Sequence, residues 1–69
     1  MSIADAKREL YDSLKVHQQV TGAGIREKKG VEYIVIFITQ KDKKILDLIP
    51  EKYKGIKVTT EVIRVPRAM

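Results

Sequence analysis

The segment Val31-Glu-Tyr-Ile-Val-Ile-Phe-Ile-Thr39 constrains the fold of this chain more than any other. Ile34, Ile36 and Ile38 alternate with Tyr33, Val35 and Phe37, so a strand here is apolar on both faces. In a small sheet with helices on one side, the second face should be partly polar. Two-sided apolarity in 69 residues therefore points to a partner, met through the open sheet face or this strand's edge. The alternative is that side chains from the tails half-cover both faces.

The neighbouring segments read as one strand on each side of it in the chain, plus two helices. Ser2 and Asp5 resemble a capping box with Asp in place of Glu, and Ile3, Ala6, Leu10, Leu14 and His17 recur at helical spacing. This predicts an amphipathic helix over Ile3–Val16 that lies on a sheet, because its charges balance and no basic membrane-binding face is present. Val20–Arg26 reads as a strand weakened by Gly22 and Gly24, two bare positions on one face. A dinucleotide-binding turn would need a glycine where Glu27 stands and a helix after it, so the expected role of the two glycines is close packing under a helix. Lys28-Lys29-Gly30 is the hairpin tip.

Asp42 is the expected N-cap of a short helix through Ile45, Leu46, Leu48 and Ile49, which must stop before Pro50. Pro50 to Gly55 reads as a turn. Ile56, Val58, Thr60 and Val62 then alternate with Lys57, Thr59 and Glu61, a half-buried strand to about Val65, with Pro66 ending it and Arg67-Ala68-Met69 as a tail. The expectation is a single α+β domain over residues 1–69, of order αββαβ. Its three-stranded mixed sheet is of the split β-α-β kind, strand order 2-1-3, with both helices on one face. Order 1-2-3 satisfies the same alternation; the twin glycines favour the first by suiting a central strand crowded by helices.

Charge and composition bear on function. The net charge is +5, and residues 26–57 hold nine basic and five acidic groups. Such an excess draws a protein toward nucleic acid or simply keeps it soluble. Lys28, Lys29, Lys41, Lys43, Lys44 and Lys54, with Lys52 and Lys57, flank a sheet face bearing Tyr33 and Phe37, the combination used by single-strand binders. Against this, lysine gives charge without bidentate base reading, and interspersed Glu27, Glu32, Asp42, Asp47 and Glu51 dilute the field. The chain has no Cys, Trp or Asn and is rich in Lys, Glu and Ile, the pattern of proteins from hot environments. With no cysteine, no export signal and no apolar run near the roughly 20 residues of a membrane span, a cytoplasmic protein is expected.

No recognisable catalytic or metal-ligating pattern is present. His17 is the single histidine, and Ser13 one turn back is a common surface pairing. At a helix C-terminus an imidazole is better suited to capping. No cofactor or metal is implied. The run Val20-x-Gly-x-Gly-Ile25, the apolar strand Tyr33–Ile38 and Ile49-Pro-x-x-Tyr-x-Gly-Ile-x-Val58 together resemble a small α/β module of prokaryotic proteins, met alone or beside trypsin-like protease domains. The likeness covers about residues 16–65 and rests on scaffold positions. It implies a fold and no established activity, and the triad of such proteases has no counterpart here. The reading reached is a non-enzymatic binding or assembly module that self-associates, as a dimer, through Tyr33, Val35 and Phe37. Its alternative is a nucleic-acid-binding protein using the lysines.

Overall fold

The computed structural model describes residues 2–63. Helix α1 spans Ile3–Leu14, followed by strands β1 (Val20–Lys28) and β2 (Val31–Ile38). Helix α2 (Lys43–Leu48), the two-residue strand β3 (Lys52–Tyr53) and strand β4 (Ile56–Val62) complete the order. The α+β class is as expected.

Local chemistry sets each boundary. The Ser2 hydroxyl oxygen accepts the Asp5 N–H at 3.2 Å and caps α1. The helix then buries Ala6, Leu10 and Leu14 of the expected stripe and ends at Leu14, two residues before the expected Val16. The Asp42 carboxylate accepts the Lys44 N–H at 2.9 Å and caps α2, and the chain is extended by Ile49, ahead of Pro50. Two hairpins share one turn chemistry: Lys29-Gly30 and Lys54-Gly55 each place lysine at φ 52° and glycine at φ 79°. Positive φ at both central residues is what the two-residue type I′ connection needs, because its twist matches the strands.

The strand order is β1-β2-β4-β3, with β1 antiparallel to β2, β2 parallel to β4 and β3 antiparallel to β4. This corrects the expected 2-1-3 arrangement of three strands. The apolar strand β2, not the glycine-bearing β1, lies inside the sheet, and a short fourth strand forms within the Pro50–Gly55 turn. The physical reason is burial. Ile34, Ile36 and Ile38 are fully inaccessible beneath α1 and α2, packed with Leu10, Leu14, Ile45, Ile49 and Val58. Each such side chain stabilises the fold by roughly 1.5–3 kcal/mol, and β2, flanked by β1 and β4, buries three on one face.

The glycines also differ from expectation. Gly22 and Gly24 pair with Phe37 and Val35, on the side away from the helices. A Cβ at Gly22 would meet the Phe37 ring at 3.6 Å, and one at Gly24 at 3.2 Å, so an aromatic ring and not a helix covers them. The β1–β2 register shifts between Val20 and Gly22, and the Thr21 hydroxyl donates to the Phe37 carbonyl at 3.3 Å. The last strand ends at Val62, with the Ile63 N–H donating to the Ile38 carbonyl. Pro66 and the tail lie outside the described residues.

Candidate functional site

The helix-free face of the sheet is built in cross-strand rows. One row holds Gly22, Phe37 and Glu61, and the next Gly24, Val35 and Thr59. Arg26 pairs with Tyr33, Lys57 pairs with Lys52, and Lys57 lies beside Tyr33, one residue before the Ile34–Val58 pair. The third row is therefore Arg26, Tyr33, Lys57 and Lys52, an aromatic side chain with cations on both sides. Lys28 and Val31 form the last row before the hairpin turn.

A contact within the chain covers the middle of the first two rows. The Arg26 Nη2 approaches Glu61 Oε2 at 2.6 Å. Because Arg26 and Glu61 stand on strands flanking β2, in the rows on either side of Val35, this ion pair crosses the sheet above Val35. Glu61 Oε2 is shielded from solvent with no hydrogen-bond donor aligned to it, so the contact is one of charge. The Arg26 guanidinium carbon also lies 6.0 Å from the Phe37 ring centre, within cation–π range. Val35 is thereby 2% exposed, while Tyr33 and Phe37 are half-buried. Of the three apolar residues expected to meet a partner, only Tyr33 and Phe37 present surface.

The hairpin end is open and basic. Lys28, Lys29, Val31, Tyr33, Lys57 and Thr59 line a concavity of about 470 Å³. Lys28, Lys29, Lys52 and Lys57 are exposed, and none forms an ion pair among the described residues. The carboxylates nearest in sequence, Glu27 and Glu32, pair with each other across β1 and β2 and leave from the opposite face. Strand alternation thus takes Glu27 and Glu32 off this face, while Glu61 remains on it and pairs with Arg26.

The other lysines stand elsewhere. Lys41, Lys43 and Lys44 precede or open α2, beyond the far end of β2. Lys54 Nζ lies 2.6 Å from Glu9 Oε2, tying the β3–β4 turn to α1. That hydrogen bond raises the Lys54 pKa above the ordinary lysine value, partial desolvation opposing it and the Glu9 charge adding to it. Arg26, absent from the residues singled out by composition, joins the central row through register alone. The Ser13 hydroxyl donates to the Leu10 carbonyl at 2.8 Å, and His17 is half-buried in the turn after α1.

Fold and site together define a small α+β protein with helices on one sheet face and a cation-flanked tyrosine on the other. No family model, curated protein or solved structure matches the chain. Among the described residues, no helix is long and apolar enough to cross a membrane.

Proposed function

We propose that this protein is a non-enzymatic binding module that takes single-stranded nucleic acid on the hairpin end of its open sheet face. The observation that carries the reading is the row Arg26–Tyr33–Lys57–Lys52. With strands about 4.8 Å apart, the row spans roughly 14 Å, so a base can stack on Tyr33 while phosphates meet the Lys57 and Lys52 ammonium groups on one side; on the other, the Arg26 guanidinium is shared with Glu61. Lys28 and Lys29 extend the positive surface around the concavity. A cytoplasmic location belongs to the same proposal.

Fluorescence anisotropy of labelled oligothymidylate and of duplex DNA, at low and moderate salt, tests it. Four neutralised phosphates give a slope of log affinity against log salt of about −3 on a single strand. Tyr33→Leu should weaken binding about tenfold by removing one stack. Absence of binding, or binding indifferent to Tyr33, sinks the reading.

Self-association through the same face is the second reading. Its support is that Tyr33 and Phe37 retain surface on a face that no helix among the described residues covers, and that Val31 beside them is 64% exposed. Light scattering on the same samples decides it: a species of twice the protomer mass that reverts to one protomer with Phe37→Glu would favour it.

A further inference from the structure

We infer that the groove between α1 and the free edge of β1 docks an extended acidic peptide by strand addition. This site lies on a different surface from the basic row, and its argument is independent of nucleic-acid binding.

Among the described residues, strand β1 ends the sheet and pairs with β2 alone. Its Val20 N–H is used by the His17 carbonyl. From Gly22 to Lys28 the outward-pointing N–H and C=O groups, on every second residue, have no partner among the described residues. Seven regular residues offer an edge of roughly 24 Å, enough for a short peptide to hydrogen-bond along it. Proteins normally blunt such edges with proline, charge or bulges. Here the register shift at Thr21 blunts one end and the charges of Arg26, Glu27 and Lys28 guard the other, which leaves Gly22 to Ile25 unguarded.

Beside that unguarded stretch the structure has room. Ala4, Asp5, Lys7, Arg8 and Tyr11 of α1 line, with Gly22 and Ala23, a groove of about 540 Å³, within the range of roughly 300–1,000 Å³ typical of ligand clefts. Gly22 and Ala23 keep the strand's profile low, so another backbone can approach it closely. An added strand directs alternate side chains toward α1, where Lys7 and Arg8 stand. Neither cation forms an ion pair among the described residues, and Asp5 is the single carboxylate lining the groove. Half-buried Tyr11, packed on the core, supplies an apolar wall. The complementary occupant is an extended segment of another protein with carboxylates at alternate positions. A second copy of this chain would bring its own Lys7 and Arg8 to the same place.

The test is a ¹H–¹⁵N NMR titration of the full chain with a capped octapeptide of alternating glutamate and valine. Saturable shifts centred on Gly22–Lys28, with slowed hydrogen exchange at alternate amides of that stretch, are expected. The double variant Lys7→Glu, Arg8→Glu should keep the spectrum of a folded protein and bind the peptide roughly tenfold more weakly. N-methylation of alternate peptide amides should abolish binding by removing the ladder donors. Unchanged β1 amides, equal binding by the double variant, or equal binding of a lysine–valine peptide would overturn the inference. So would protection of the same amides by raising protein concentration alone, which makes a second copy the occupant, or by oligothymidylate, which makes the groove part of the nucleic-acid surface.

Discussion

Lys29 and Lys54 occupy left-handed backbone with φ of 52°, a conformation that costs an L-residue other than glycine, asparagine or aspartate about 1–2 kcal/mol. Asparagine is the preferred residue at that turn position. Lys29→Asn should therefore raise stability by about 0.5–1 kcal/mol in urea denaturation, while weakening oligonucleotide binding through the lost charge. Gly30→Ala meets no neighbouring atom within 4 Å, so its cost is backbone strain alone, about 1–2 kcal/mol. Gly24→Ala is different: its Cβ lies 3.2 Å from a half-buried ring that can tilt. The strain of that contact should offset most of the roughly 0.5–1 kcal/mol gained when alanine replaces a strand glycine. Neither the turn φ values nor the ring over Gly24 is encoded by residue type alone. The Lys-Gly pairs mark turns, and the ring contact needs β1 and β2 in register.

Elements are joined by a few charged and capping contacts whose loss can be measured separately. Asp42→Ala removes the oxygen that caps α2 and should cost about 1 kcal/mol, seen as a lower urea midpoint with an unchanged slope. Glu9 links α1 to the β3–β4 turn through Lys54, with the Tyr53 hydroxyl at 3.5 Å from the same oxygen. Folding raises the Lys54 pKa, so this tie contributes fully below the unfolded value of 10.5 and fades as pH rises through the higher folded value. Urea titrations from pH 9 upward should show an alkaline loss of stability that Glu9→Gln reduces. If the two proteins keep parallel profiles, the hydrogen bond does not set the pKa. Arg26 and Glu61 join the two strands flanking β2, but both side chains are about half exposed, so Arg26→Gln should cost no more than about 1 kcal/mol.

For the whole molecule, size governs. A domain of 69 residues has a small margin of stability, of about 5 kcal/mol, and its largest fully buried side chains are three isoleucines on one strand face. Ile36→Ala should cost about 2–5 kcal/mol and leave a substantial unfolded fraction at 37 °C, measured by circular dichroism. The helices, the two long hairpin strands and the final strand were legible in the sequence because periodicity, caps and Lys-Gly turns act over a few residues. Strand β3 was not: two residues carry no period, and Pro50 and Gly55 mark the stretch as a turn.

The candidate site divides the same way. Tyr33 and the lysines are visible as residue types, and alternation along β2 places Tyr33, Val35 and Phe37 on one face. The sequence alone thus determined the composition of each face, because strand alternation is a property of the backbone. Only the tertiary structure decided which strand is central, since both strand orders satisfy the same alternation and burial beneath two helices breaks the tie. It also decided which cations flank Tyr33: the parallel register of β4 on β2 sets Lys57 beside it, and the antiparallel register of β1 adds Arg26. These contacts join residues far apart in the chain, where no local pattern reaches.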